Sequence, residues 1–138
     1  MQPIIVELTV EDVQTSIYWY KELGFEVELE GIHDDAGLQW VSMARDGRSL
    51  WLLREDISRH SAGQGCNVTL YMQVEDVDAV HQRLSTNGIQ TDSPPQNQWY
   101  GLREFTVRDP DGFCWSINQS IPRSETPPHP QTGRRGLL

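Results

Sequence analysis

Four residues occur twice in this chain, Val10-Glu11-Asp12-Val13 and Val74-Glu75-Asp76-Val77, at the same place in a longer pattern. An apolar run leads into each copy, residues 4–10 in the first and 68–74 in the second. About ten helix-compatible residues follow, then a glycine, Gly24 or Gly88. The shift of 64 positions that carries Asp12 onto Asp76 also carries Gly24 onto Gly88, and Asp46-Gly47 returns as Asp111-Gly112 at a shift of 65. Repetition at near-constant spacing over this length predicts a module of about 60 residues used twice. Whatever the chain folds into must be built from two copies of one supersecondary unit.

Local chemistry predicts the order of elements in each copy. The leading run is apolar enough for a half-buried strand. Asp12 then offers a carboxylate to the free amides of a first helical turn, and Val13, Ile17, Tyr20 and Leu23 recur at three- and four-residue steps on one helical face. Gly24 suits the left-handed position that ends a helix. Strands are expected over 25–30, 38–44 and 49–54. A turn at His33, Asp34, Asp35 and Gly37 follows the first of these, and a hairpin turn at Arg45-Asp46-Gly47 joins the last two. Polar residues 55–67 read as the linker. In the second copy Asp76 caps a helix with Val77, Val80 and Leu84 on its apolar face. A Pro94-Pro95 loop and strands over 103–108 and 113–118 follow, joined by Asp109-Pro110-Asp111-Gly112. From residue 120 the chain is rich in proline and poor in apolar side chains, and residues 120–138 are expected to form a mobile tail.

Composition narrows the function classes. The 138 residues suffice for one domain with a real core, placed at 1–119. No apolar run approaches the ~18 residues of a membrane span, and no signal peptide is visible, so no membrane partner is expected. Cys66 and Cys114 fit no metal or disulfide spacing and are taken as reduced thiols of a cytoplasmic protein. The net charge of -9 argues against a nucleic-acid partner and favours a cationic ligand over an anionic one.

Two stretches carry a family resemblance. Val10, Asp12, Ser16 and Tyr20, followed by Leu23-Gly24-Phe25, are similar to the opening of the vicinal oxygen chelate superfamily, and residues 100–112 (YGLREFTVRDPDG) resemble its closing signature. That superfamily takes in glyoxalase I, extradiol dioxygenases, fosfomycin-modifying enzymes and bleomycin resistance proteins. The resemblance covers residues 3–119. It implies an α+β fold of two tandem βαβββ modules, about 3–56 and 67–119, forming a curved sheet that encloses a cleft, usually within a homodimer.

The enzymes of the superfamily hold a divalent ion from the first and last strand of each module. Those places lie seven residues before the capping Asp and four after the turn Gly. Here they fall on Ile5, Trp51, Thr69 and Ser116. A divalent ion needs imidazole or carboxylate, so no metal and no cofactor are expected. Glu7 lies on the same strand face as Ile5, but one carboxylate makes no site. His33, His60, His81 and His129 share no ligand spacing and are read as solvated surface imidazoles.

A cleft without metal can still bind, and the superfamily branch lacking those ligands is the bleomycin-resistance type, which sequesters a drug. Flat heteroaromatic ligands stack on indole and phenol faces, and cationic ones are drawn to the ring quadrupole. Strand alternation counted from the mapped places puts Ile5, Glu7, Ser49, Trp51, Thr69, Tyr71, Gln73, Glu104, Thr106, Cys114 and Ser116 in the cleft. Trp40, Trp51, Tyr71, Trp99, Tyr100, Glu7, Glu104 and Ser116 are the expected ligand contacts. Trp40 and Tyr100 take the places where the resemblance puts stacking aromatics, whereas Trp19 and Trp115 are assigned to packing. The acidic run Glu26, Glu28, Glu30, Asp34 and Asp35 reads as a solvated hairpin face or a rim attracting a basic ligand. The expected function is a homodimeric, non-catalytic protein that traps a cationic, partly aromatic antibiotic of the bleomycin type. The alternatives are a metal-dependent glyoxalase- or dioxygenase-like enzyme with a non-standard site around Glu7 and Glu104, and a small-molecule carrier.

Overall fold

The computed structural model describes residues 3–63 and 67–130. Cys66 and residues 131–138 of the expected tail lie outside them. The chain divides into two compact units, one running to Val68 and also taking in the turn Arg108–Phe113, the other comprising Thr69–Val107 and the chain from Cys114 onward. Each is a βαβββ module, which makes the protein α+β as its internal repeat predicts.

In the first unit the elements are β1 (Val6–Val10), α1 (Val13–Glu22), β2 (Glu26–Glu30), the two-residue strands β3 (His33–Asp34) and β4 (Gly37–Leu38), β5 (Trp40–Arg45) and β6 (Arg48–Arg54). The sheet order is β1-β6-β5-β2, with β1 parallel to β6 and the other pairs antiparallel. Asp12 caps α1 as expected, its carboxylate accepting from the Gln14 amide. Val13, Ile17 and Tyr20 on α1 are buried against Leu8, Val10, Val41, Met43, Leu50 and Leu52. Each such side chain contributes roughly 1.5–3 kcal/mol of transfer free energy, so this seam holds helix to sheet. Gly24 ends the helix at φ +91°, where a Cβ would also meet Arg45 Nε at 2.9 Å. The β5–β6 turn has φ of 50° at Asp46 and 76° at Gly47, the pair of positive values that a two-residue type I′ hairpin needs.

Where the sequence suggests only a turn at 33–37, the chain makes the small β3–β4 hairpin. Its tip is held by the Asp34 carboxylate, which accepts from the Ala36 amide at 2.9 Å.

The second unit holds β7 (Thr69–Gln73), α2 (Val77–Thr86), β8 (Gln96–Asn97), β9 (Leu102–Arg108) and β10 (Cys114–Ser120), in the order β7-β10-β9-β8. β8 is a short edge strand in what the sequence reads as the Pro-Pro loop. Asp76 caps α2 through the Ala79 amide, and Val77 and Leu84 bury beside Met72, Phe105, Trp115 and Ile117. Residues 121–130 of the expected tail are tied to this unit. The Ile121 amide donates to the Gly101 carbonyl, Asn97 Nδ2 donates to the Glu125 carbonyl, and the His129 ring lies 4.1 Å from that of Trp99. Among the described residues no helix is long and apolar enough to cross a membrane.

Candidate functional site

Because side chains alternate along a strand, packing α1 on one face of the first sheet leaves the other face to Glu7, Thr9, Trp40, Ser42, Ser49, Trp51 and Leu53. The register draws a row straight across it. Glu7 on β1 stands opposite Trp51 on β6, and Trp51 opposite Ser42 on β5. Trp40, two residues before Ser42, leans on Trp51 edge to face, with ring centroids 5.4 Å apart at 81°. Trp40 is seated by Gly31, whose amide donates to the Trp40 carbonyl at 2.8 Å; a Cβ at Gly31 would come within 3.2 Å of the indole. Both indoles are partly exposed, and Glu7 is exposed.

Glu28 joins this face from β2, at the register shift between Val27 and Leu29. Its Oε1 accepts from Ser42 Oγ at 2.8 Å and from Ser49 Oγ at 3.3 Å. Ser42 is 3% exposed. All five acids of the run are exposed, and two of them, Glu28 and Asp34, are also hydrogen-bonded within the unit. Asp34, from the same run, is gripped by Arg54, whose side chain is buried between Asp34 and Asp56 and bonds both carboxylates with two nitrogens each. Hydrogen bonding to this guanidinium holds Asp34 well below the usual carboxylate range. Arg54 escapes sequence reasoning because its partners lie on either side of a strand boundary, in no periodic relation to it.

In the second unit α2 covers one sheet face and leaves the other to Thr69, Tyr71, Gln73, Glu104, Cys114, Ser116 and Asn118. Tyr71 stands opposite Ser116, and Gln96 opposite Glu104. Glu104 is buried, and a buried carboxylate needs partners. They are two hydroxyls, Tyr100 Oη and Ser116 Oγ, one on each carboxylate oxygen. Asn118 Nδ2 in turn donates to Ser116 Oγ at 3.0 Å. Ser116, 1% exposed, therefore holds Glu104, and Glu104 fixes the Tyr100 ring. Tyr100 and Trp99 meet edge to face at 5.3 Å and are each 44% exposed, while Tyr71 is 64% exposed. Arg103 points away from this face, pairing with Asp78 of α2 at 2.8 Å. Cys114 is a buried free thiol.

The eight expected contacts thus fall into two groups: Glu7, Trp40 and Trp51 on the open face of the first sheet, and, in the second unit, Tyr71, Glu104 and Ser116 on the open sheet face with Tyr100 bonded to Glu104 and Trp99 beside it in the turn before β9. Glu28, Ser42 and Gly31 join them without a signal in the sequence, where Glu28 is one acid in a charged run. Two histidines make ring contacts, His81 half-buried and His129 exposed. His81 Nε2 lies 3.0 Å from Thr91 Oγ1 with its ring 5.1 Å from Phe105, and His129 packs on Trp99.

The residues at the mapped metal-ligand places do not suit a divalent ion. Ile5 offers hydrocarbon, the Trp51 indole is packed on Trp40, Thr69 has a neutral hydroxyl, and the Ser116 hydroxyl is shared between Glu104 and Asn118. Among the described residues no three of His, Cys, Asp and Glu gather as a ligand group.

Comparison with known proteins agrees with this architecture. An uncharacterized protein of Mycobacterium tuberculosis is 28% identical over 122 residues, spanning 83% of this chain and 72% of its own length. The crystal structure of TioX from Micromonospora sp. ML1 superposes with a TM-score of 0.72 at 22% identity, over 88% of this chain and 100% of TioX. That of TnmS3, described as an antibiotic binding protein from Streptomyces sp. CB03234, superposes with a TM-score of 0.67 at 24% identity, over 87% and 97% of the two chains. Residues 4–117 match the sequence pattern of one family, and on that match the chain belongs to the Glyoxalase/Bleomycin resistance protein/Dioxygenase superfamily.

Proposed function

We propose that this protein binds and sequesters a cationic, partly aromatic small molecule, an antibiotic of the bleomycin type, and does so as a homodimer in the cytoplasm without chemical turnover. The observation that carries the reading is Trp51. It occupies a place where enzymes of this fold are expected to present a metal ligand, and its indole is instead paired with Trp40 and flanked by Glu7. An aromatic pair beside a carboxylate suits a flat cation, which gains stacking area and quadrupole attraction together. The second sheet offers a matching set, with Trp99 and Tyr100 edge to face and Tyr100 fixed by Glu104. The net charge of -9 favours the approach of such a ligand. TnmS3, a protein of the same fold described as antibiotic binding, supports the class of ligand.

Titration with bleomycin, read by tryptophan fluorescence, tests the proposal. Saturable quenching is expected, with the drug recovered unchanged in mass. No response up to about millimolar drug removes the bleomycin reading, because even weak specific binding lies below that limit. Sedimentation of the purified protein tests the dimer.

A further inference from the structure

Glu7, Glu28 and Glu104 lie on the open sheet faces, and their hydrogen bonding separates their roles. Glu104 has a hydroxyl donor on each oxygen, so its acceptor capacity is largely committed to Tyr100 and Ser116. Glu7 is exposed and bonded to nothing among the described residues, which leaves its long side chain free to rotate. Glu28 differs from both. Its two serine donors, Ser42 and Ser49, converge on the same oxygen, Oε1. Two donors on one oxygen tie that end of the carboxylate to the sheet. Oε2 meanwhile has no partner among the described residues.

Ser42 and Ser49 also locate that oxygen. Ser42 stands directly opposite Trp51 in the strand register, and Ser49 precedes Trp51 by one side-chain step on the same face of β6. The Glu28 carboxylate is therefore anchored to the two positions that neighbour Trp51 on this face, on the side away from Glu7. An acceptor oriented beforehand loses little freedom when a donor arrives. A hydrogen bond from a charged donor to a carboxylate is roughly twice as strong as a neutral one.

We infer that Glu28, held by Ser42 and Ser49 beside the Trp40–Trp51 pair, is the specificity-determining acceptor for a protonated nitrogen group, an amidinium, guanidinium or ammonium attached to a flat ring. The flat ring packs against the indoles and the N–H group points to Oε2. This inference rests on the proposed small-molecule binding role and narrows it. The first module selects for positive charge through an oriented carboxylate, whereas Glu104 of the second serves to hold Tyr100. Glu28 is a positioning and selectivity residue and takes part in no bond making.

The test uses benzamidine and benzamide, which share a flat ring and differ in charge, titrated by ligand-observed NMR into the full chain and two variants. The wild type should bind benzamidine at least about tenfold more tightly than benzamide. Glu28→Gln keeps the side chain's length and is exposed, so folding is not at stake. It should lower benzamidine affinity about tenfold, equivalent to 1.4 kcal/mol, and leave benzamide unchanged. Ser49→Ala, which removes one of the two hydroxyls, should give a smaller loss in the same direction. Equal affinity for both probes in the wild type, or unchanged benzamidine affinity in Glu28→Gln, overturns the inference. Bleomycin is then titrated into the same proteins. Binding that persists in Glu28→Gln at full affinity sinks this inference while sparing the sequestering role. An absence of bleomycin binding, with benzamidine selectivity intact and Glu28-dependent, sinks the drug reading alone.

Discussion

Replacing Tyr20 with phenylalanine removes one oxygen from a buried polar contact of the first unit. Tyr20 is fully buried on α1, and its hydroxyl donates to Asp109 Oδ2 at 2.6 Å across a sequence separation of 89. The other carboxylate oxygen accepts the backbone amides of Asp111 and Phe113, each at 2.9 Å. Asp109 is 5% exposed, and burial pushes its carboxyl above the usual range even though these three donors pull the other way. The variant keeps the ring, and with it the edge-to-face contacts to Trp19 and Phe25, and gives up the hydroxyl that bonds Asp109.

A hydrogen bond to a charged group contributes roughly 1.5–3 kcal/mol, and a neutral one about 1. Urea unfolding at pH 7 should therefore show Tyr20→Phe destabilised by about 2 kcal/mol with an unchanged m-value. The thermal midpoint should fall by about 6–10 °C.

The pH dependence has a definite sign. A carboxyl whose folded-state pKa is raised stabilises the fold fully below its unfolded value, and that contribution is lost as pH rises through the folded value. Removing the hydroxyl raises the folded value further. The destabilisation of the variant should therefore be smallest in acid and grow as pH rises past the ordinary carboxylate range, then level off. A loss below about 0.5 kcal/mol, or one equal at pH 4 and pH 7, refutes the assignment of Tyr20 as the support of a buried carboxylate.

Trp40→Ala should weaken binding of an aromatic ligand by more than about 1 kcal/mol, near fivefold, if the ring stacks on it; an unchanged dissociation constant assigns Trp40 to packing. Gly31→Ala places a methyl within 3.2 Å of Trp40, so the indole must give way. The near-ultraviolet circular dichroism of the Trp40–Trp51 pair should change, and an identical spectrum contradicts the seating described for it. Arg54→Lys replaces a guanidinium serving two carboxylates by a single ammonium. Limited proteolysis should then cut the β3–β4 hairpin faster, and an unchanged rate removes Arg54 as its anchor. His129→Ala uncovers one side of Trp99, and the emission difference between this variant and wild type should vanish in a Trp99→Phe background. A difference that survives there places the effect elsewhere.

Residue order alone carries the architecture of each module. Helix caps, the Asp46-Gly47 hairpin and the glycine stops depend on neighbours a few residues away, and strand alternation sorts side chains between two faces whatever covers them. That is why the repeat, both helices and the two sets of candidate contacts could be read from residue order, and why Ile5, Trp51, Thr69 and Ser116 could be seen to lack metal-binding chemistry. Only the tertiary structure decided which polar groups pair. Glu28 looks like Glu26 and Glu30 in the sequence, yet it alone of the three bonds Ser42 and Ser49, while the register shift after Val27 sets Glu30 opposite Val41 on the helix-covered face. Glu104 finds Tyr100 and Ser116, Arg54 finds Asp34 and Asp56, and Tyr20 finds Asp109 through the same tertiary placement. A buried or oriented charge takes whichever partner the packed backbone brings within about 3 Å, and that choice has no local period to betray it.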